Sequence, residues 1–261
     1  MVSQTRNKHK VRKEAQNSAH QKFRQRESER LRKDSKTDPL TRDRLKRLFG
    51  QRPPIKTFLV VCEGEKTEPN YFHALRDTWR IPISVEIMKA QGDPLNVVKA
   101  AIDRRDEREA PDYDEIWAVF DRDSFIPERI HAAFDKAKDN VVNIAFSNEA
   151  FELWFILHYE PRSTGLSRTQ YKARLSKFLN RKYEKNSPDM FALLRSHLPE
   201  AIRNAMRLSS ENEMYAHELI DLNPYTGVHL LIKSMLPDKE QFKNGINMSL
   251  EEYQELMAAF L

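Results

Sequence analysis

Short apolar segments alternate with longer stretches of helical pattern between residues 55 and 158, and this alternation constrains the fold more than any other feature. The pattern predicts strands at 57–62, 83–88, 115–120 and 141–146. It predicts helices at about 67–79, 94–108, 127–138 and 148–158. Because strand–helix–strand units join parallel strands by right-handed crossovers, we expect an α/β fold with a mostly parallel sheet flanked by helices.

The strand signals fade after Pro161, and helical patterns continue at 168–180, 189–208, 227–236 and 248–260. Residues before Arg52-Pro53-Pro54 are poor in aliphatic side chains. We therefore predict three parts, namely a basic arm at 1–52 that is largely disordered or helical, an α/β core at 53–165, and a helical C-terminal elaboration at 166–261 that packs on the core.

The predicted arm differs from the remainder of the chain in charge. Residues 1–50 carry 16 Lys and Arg against 6 Asp and Glu, whereas residues 51–261 carry 28 against 33. Basic arms bind polyanions by releasing counterions from phosphates, although a charged tail can also serve only solubility. The candidate nucleic-acid-binding residues in this arm are Lys8, Lys10, Arg12, Lys13, Arg24 and Arg26.

Several functional classes are disfavoured by composition. No apolar run reaches the roughly 18 residues needed to cross a bilayer, and the basic N-terminus has no apolar stretch behind it, unlike a secretory signal. The single cysteine, Cys62, cannot form an intramolecular disulfide and fits a reducing compartment. Glycine-rich nucleotide-binding motifs are absent from the sequence. We expect a cytoplasmic protein that does not associate with membranes.

Two acids follow the predicted strand at 115–120. Side chains at i and i+2 of an extended strand point to the same side, so Asp121 and Asp123 could reach one divalent cation. Glu63 and Glu65 flank Gly64 after the strand at 57–62, and ligand sites of open α/β sheets lie at the carboxyl ends of strands. Each acid taken alone could instead be a turn or cap residue.

A third predicted strand ends at Ser147, Glu149 and Glu152. Ser147 could simply cap the following helix, with Glu149 in its first turn. Glu149 and Glu152, three residues apart, would share a helix face, and an acid at 152 among apolar neighbours needs a partner or a metal ion. Since carboxylate oxygens suit Mg²⁺ and Mn²⁺, the predicted metal ligands are Glu63, Glu65, Asp121, Asp123, Glu149 and Glu152.

Four further residues are weaker candidates. Lys66 follows the first acidic turn and could pair with a scissile phosphate. His158 ends an apolar helix, where a C-terminal cap is the simpler interpretation. Asn223 and Thr226 lie in a polar turn before an apolar helix, and capping is again the alternative.

Four segments together resemble the RloB family: VVCEGEKTEPNYF at 60–72, VFDRD at 119–123, SNEAFELW at 147–154 and NPYT at 223–226. The order of acid-glycine and Asp-x-Asp also resembles a Toprim domain, the catalytic fold of topoisomerases, primases and overcoming-lysogenization-defect nucleases. The resemblance implies a Toprim-like fold, Mg²⁺- or Mn²⁺-dependent phosphodiester chemistry and prokaryotic anti-phage defence.

By position, Glu63 resembles the Toprim acid that binds metal or acts as general acid or base, and Asp121 and Asp123 resemble its metal pair. The resemblance thus implies catalytic roles for Glu63, Asp121 and Asp123, and Glu152 lies where overcoming-lysogenization-defect nucleases place further acids. Lys66 is a catalytic candidate only from its place after the acidic turn, because the sequence has no clear match to the lysine of those nucleases. We therefore expect a hydrolase, a metal-dependent nuclease of anti-phage defence or abortive infection. RNA, of which tRNA is one plausible target, is favoured over DNA by the analogy that abortive defence often attacks translation. The resemblance suggests an ATPase partner from the same locus, and the sequence leaves homo-oligomerisation open.

Two alternatives remain at this point. The chain could be a non-catalytic module that binds nucleic acid or an ATPase. The same acids could also bind a nucleotide through Mg²⁺, in a sensor or a nucleotidyl transferase.

Overall fold

The structure is a computed structural model that describes residues 56–79, 83–90, 92–213, 219–236 and 248–261. Residues Ile55–Leu261 form one compact unit. The predicted basic arm and its six candidate nucleic-acid-binding residues lie outside the described residues.

A five-stranded sheet lies at the centre of this unit. Its strands are β1 (Lys56–Cys62), β2 (Ile83–Lys89), β3 (Glu115–Asp121), β4 (Asn143–Asn148) and β5 (Tyr225–Thr226). The strand order is β2-β1-β3-β4-β5; β1 to β4 are parallel, and β5 pairs antiparallel with β4. The predicted α/β fold with a mostly parallel sheet is confirmed.

Nine α-helices are described, together with 3-10 turns at Arg195–His197 and Leu219–Asp221. They are α1 (Thr67–Trp79), α2 (Pro94–Asp106), α3 (Pro127–Asn140), α4 (Glu152–Leu157), α5 (Arg168–Phe178), α6 (Met190–Leu194), α7 (Leu198–Glu213), α8 (Val228–Met235) and α9 (Leu250–Ala258). No helix among the described residues combines the length and apolarity needed to cross a bilayer.

Both faces of the sheet are covered because side chains alternate along each strand. In β1, Phe58 and Val60 belong to one hydrophobic cluster, which also contains residues of α1 and of the C-terminal helices. Leu59 and Val61 belong to a second cluster with residues of α2 and α3. This two-sided burial explains why β1 and β3 are continuous apolar runs, as strands of parallel sheets usually are.

Two predicted boundaries near β4 were wrong. The strand predicted at 141–146 begins at Asn143, because Val141 adopts a left-handed conformation (φ 57°) that ends α3. The strand then continues to Asn148, and the helix predicted from 148 begins only at Glu152. The two-residue β5 was not predicted, because it is too short to give a period-two signal.

Candidate active site

Four carboxylates converge where β1 and β3 end. Glu63 follows β1, Asp121 is the last residue of β3, Glu68 lies in the first turn of α1, and Glu152 begins α4. Each of Glu63, Glu68 and Asp121 is electrostatically coupled to another acid of the group, and Glu152 acts on both Glu68 and Asp121. We call these four residues the carboxylate cluster.

The sheet itself brings the first two acids together. β1 and β3 are hydrogen-bonded neighbours, and the Glu63 amide continues their ladder by donating to the Val119 carbonyl at 2.9 Å. The Asp121 amide donates to Glu63 Oε2 at 3.1 Å. Adjacent parallel strands that both end in acids therefore place those acids side by side, as the sequence predicted.

Gly64 makes room for Glu68, a residue of the first family motif that was not among the predicted site residues. A Cβ atom built on Gly64 would lie 1.9 Å from Glu68 Oε2. Only a residue without a side chain permits this approach. An acid in the first helical turn ordinarily signals only a favourable helix dipole, so the sequence carried no separate sign of this role.

Burial and mutual repulsion perturb the protonation of the cluster, and the charges of Arg168 and Lys185 offset the effect only in part. Loss of solvent, followed by repulsion from Glu68 and Asp123, raises the pKa of Glu63 to about 7, against the lowering effect of the Asp121 amide. Burial and the charges of Glu68, Glu152 and Glu63 raise the pKa of Asp121 well above its usual range. Burial and Glu152 likewise raise the pKa of Glu68. These are the shifts expected of like charges sharing a low-dielectric site.

Two oxygens of the cluster, Asp121 Oδ1 and Glu68 Oε2, are shielded from solvent and accept no hydrogen bond from any described residue. Glu152, by contrast, is buried and accepts a hydrogen bond from the Tyr183 hydroxyl at 3.2 Å. Buried polar atoms are normally satisfied, so these two carboxylate oxygens fit a site that receives a cation or an ordered water.

Asp123 does not share a strand face with Asp121, contrary to the sequence prediction. The strand ends at Asp121, and Asp123 turns into the left-handed region (φ 45°), its amide donating to the Glu149 carbonyl at 3.2 Å. Its carboxylate pairs with Arg168, at 2.7 Å between Oδ2 and Nη2. Asp123 still acts electrostatically on Glu63, so it borders the cluster. Its own carboxylate is already paired with the guanidinium of Arg168.

Glu149 and Glu152 do not share a helix face either. Glu149 is half-buried and precedes α4, which begins at Glu152. Ser147 is a strand residue and not a helix cap: its hydroxyl hydrogen-bonds the Thr226 hydroxyl at 3.0 Å, and together they join β4 to β5. The predicted strand ended at residue 146 because Ser147 and Asn148 are polar. In the structure both residues belong to β4, where they pair with β5.

A polar cavity of about 310 Å³ borders the cluster on the side of Asp123. Its walls include Arg122, Asp123, Phe125, Asn148, Glu149 and Asn223. The Asn148 amide nitrogen donates to two carbonyls, while its Oδ1 is buried without a partner among the described residues. Asn223 and Glu149 thus lie at this cavity and not in the carboxylate cluster.

The remaining candidates are placed outside the cluster. Glu65 and Lys66 are exposed at the turn after β1. His158 is buried against Trp154 in the hydrophobic core, where burial lowers its pKa to about 3 and Nδ1 bonds the Trp154 carbonyl at 2.8 Å. Thr226 is a buried residue of β5 whose hydroxyl accepts from the Val228 amide at 3.4 Å, while Gly227 is the N-cap of α8 and the helix has no side-chain cap.

The residues of the cluster fit a hard divalent cation. Within the described ranges, no three His, Cys, Asp or Glu side chains are already arranged as a metal-binding group. The donor chemistry nevertheless matches, because two carboxylate oxygens lack partners among the described residues and several acids repel one another. A cation bound there would supply the missing partner and lower the raised pKa values.

A comparison with protein families identifies the chain. The profile of the RloB-like proteins matches residues 58–235, which span the sheet, the carboxylate cluster and β5. The chain therefore belongs to the RloB-like family, and the family suggested by the sequence motifs is confirmed. Searches of curated proteins and of solved structures found no match.

Proposed function

We propose that this RloB-like protein is a Mg²⁺- or Mn²⁺-dependent nuclease that cleaves phosphodiester bonds in nucleic acid. The observation that supports it best is the carboxylate cluster, with two unpartnered oxygens and raised pKa values at the carboxyl edge of a parallel sheet. Perturbed acids at such an edge are typical of functional sites.

Within this proposal the residues divide into two roles. Asp121 and Glu68 offer the unpartnered oxygens, so they would hold the cation together with Glu152. When bound, a divalent cation stabilises negative charge on a phosphoryl group and makes water more acidic. Glu63 would accept a proton from attacking water or return one to the leaving oxygen; its pKa is raised to about 7 in the metal-free protein, and a bound cation would lower it.

RNA, with tRNA as one plausible target, is the proposed substrate, and anti-phage defence by abortive infection is the proposed role. The role rests on the family resemblance, and the preference for RNA rests on the analogy that abortive defence often attacks translation. An ATPase encoded at the same locus is the proposed partner.

The decisive experiment compares cleavage of labelled tRNA, single-stranded RNA and duplex DNA with Mg²⁺ or Mn²⁺ by the wild type and Asp121→Asn. Asp139→Asn, an exposed aspartate on α3, is the matched control. We expect cleavage that disappears with chelator and in Asp121→Asn but persists in Asp139→Asn. Cleavage that survives Asp121→Asn would overturn the proposal. If no substrate is cut, the assay is repeated with the ATPase and with infected-cell extract, and failure there would indicate a binding module.

A second candidate function is suggested by the cavity beside Asp123. Its volume of about 310 Å³ is at the lower end of the range typical of small-ligand sites, and a nucleotide could lie there with its phosphates toward the acids. Calorimetry with Mg²⁺ and nucleoside triphosphates tests this sensor or nucleotidyl transferase. Saturable binding without any nuclease activity would favour it over the nuclease.

A further inference from the structure

Basic side chains are concentrated in one stretch of the described chain, residues 162–185, which we call the basic segment. It contains eight Lys and Arg and a single acid, Glu184. All other residues between 51 and 261 carry 20 Lys and Arg against 32 Asp and Glu. A segment of strongly positive charge therefore belongs to an otherwise acidic unit, and such asymmetry marks a surface for anions.

The arginines and lysines of this segment are used differently. Each arginine pairs with an acid: Arg162 and Arg174 with Glu160, Arg168 with Asp123, and Arg181 with Asp189. The four lysines are exposed and form no ion pair with any residue of the described ranges, namely Lys172, Lys177, Lys182 and Lys185. Their charges remain available to an external anion.

Two residues of the basic segment, Arg168 and Lys185, act electrostatically on acids of the carboxylate cluster. Arg168 binds Asp123 and also counteracts the raised pKa of Glu63. Lys185 lies close enough to Glu68 to oppose the rise in its pKa. Lys172 lies one helical turn beyond Arg168, at i+4, so the two share a face of α5.

The segment is held firmly in this position. α5 begins with a capping box between Ser167 and Gln170, and its residues Tyr171 and Leu175 are buried in the core. The loop that follows α5 is fixed by the hydrogen bond that the Tyr183 hydroxyl donates to Glu152. Asn186 then accepts from the Thr67 hydroxyl at 2.9 Å, and its carbonyl accepts from Asn70 Nδ2 at 3.1 Å. The lysines are therefore presented beside the acids without prior ordering of the chain.

We propose that the basic segment binds the phosphate backbone of a nucleic acid strand and leads it to the carboxylate cluster. The role of the cluster in cleavage rests on the proposed function, whereas binding by the segment does not. The unpaired lysines extend from α5 into the loop before Asn186, so a polymer of phosphates suits them better than a single phosphate group. Such an approach would also offset the repulsion that the buried acids exert on a phosphate.

The test measures equilibrium binding of the full-length chain to a short fluorescent single-stranded RNA, in chelator so that no cleavage occurs. The variant is Lys172→Glu/Lys185→Glu. Its charge-matched control is Lys99→Glu/Lys138→Glu, which reverses two exposed lysines on α2 and α3, on the opposite face of the sheet. Thermal unfolding of each variant shows that the fold is retained, and any contribution of residues 1–50 is common to both.

We expect the first variant to bind RNA about tenfold more weakly or worse, with a salt dependence shallower by about one unit per lysine. The control should bind much as the wild type does. Equal losses in both variants, or none in either, would overturn the proposal. Anionic phospholipid vesicles are tested in parallel, and a variant that loses vesicles but keeps RNA would assign the segment to a membrane surface instead. If the wild type did not cleave RNA in Mg²⁺, this would count against the proposed nuclease activity. The measured binding of RNA by the basic segment would not be affected.

Discussion

Two acidic sites of this molecule are built in opposite ways. Glu252, at the start of α9, receives two hydrogen bonds of 2.8 Å from Arg195 and one of 3.2 Å from the Trp79 indole. Although burial acts to raise it, these partners lower the pKa of Glu252. The carboxylate cluster has several acids, two unpartnered oxygens and raised pKa values.

The contrast distinguishes an acid that stabilises the fold through partners within the chain from acids whose oxygens could bind a ligand. Glu252 has used its hydrogen-bonding capacity within the chain, so its effect is to join α9 to α1 and to the 3-10 turn at Arg195. The cluster keeps capacity unused, at a cost in stability, which is the usual arrangement of a ligand site. Four measurements, in decreasing order of expected effect, could strengthen or break this contrast.

Glu68→Gln should lower metal-dependent cleavage by about 100-fold, roughly 3 kcal/mol of barrier, because one of the two unpartnered oxygens is lost. Single-turnover cleavage at saturating Mg²⁺ measures the effect. The control is Glu128→Gln, an exposed acid in the first turn of α3. Equal rates for the two variants would mean that Glu68 only complements a helix dipole.

The pH dependence of stability without divalent cations should follow Glu63. Its folded pKa of about 7 exceeds the ordinary 4.5, so its contribution is fully present below about 4.5 and is lost as the pH rises toward 7. After allowance for partial solvent screening, we expect a loss of about 2 kcal/mol relative to Glu63→Gln, measured by urea unfolding. Mg²⁺ should remove this loss of stability. If the wild type instead became more stable relative to the Glu63→Gln variant as the pH rises from about 4.5 to 7, the raised pKa of Glu63 would be contradicted.

Gly64→Ala should reduce cleavage by about tenfold, because the new methyl group would displace the Glu68 carboxylate. Gly227→Ala is the matched control, since a Cβ there meets its neighbours at an ordinary 3.5 Å. Steady-state rates of both variants give the comparison. If Gly64→Ala is as active as Gly227→Ala, Glu68 need not occupy its place beside Gly64.

Glu252→Gln should leave cleavage unchanged and lower the free energy of unfolding by about 1 kcal/mol, a modest loss because its pair with Arg195 is partly exposed. Urea unfolding measures it, beside Glu200→Gln, whose pair with Arg203 is more exposed and should contribute less. A large loss of activity in Glu252→Gln would end the distinction between the two sites.

Much of the architecture was determined by sequence alone, because burial on both faces of a parallel sheet requires apolar runs separated by helices. The same logic placed Glu63 and Asp121 together, since neighbouring strands end at the same edge. Local chemistry also predicted the start of α2, where Asp93 caps the helix and Pro94 takes its first position.

The other contacts of the site depend on how separate elements pack together. Glu68 joins the cluster through the space left by Gly64, and Arg168 reaches Asp123 across 45 residues of sequence. Periodicity predicted that Asp121 and Asp123 share a strand face and that Glu149 and Glu152 share a helix face. The left-handed turn at Asp123 and the start of α4 at Glu152 rule out both pairings. Periodicity reports which residues share a face of one element, whereas these contacts depend on how different elements pack, and no local pattern encodes that.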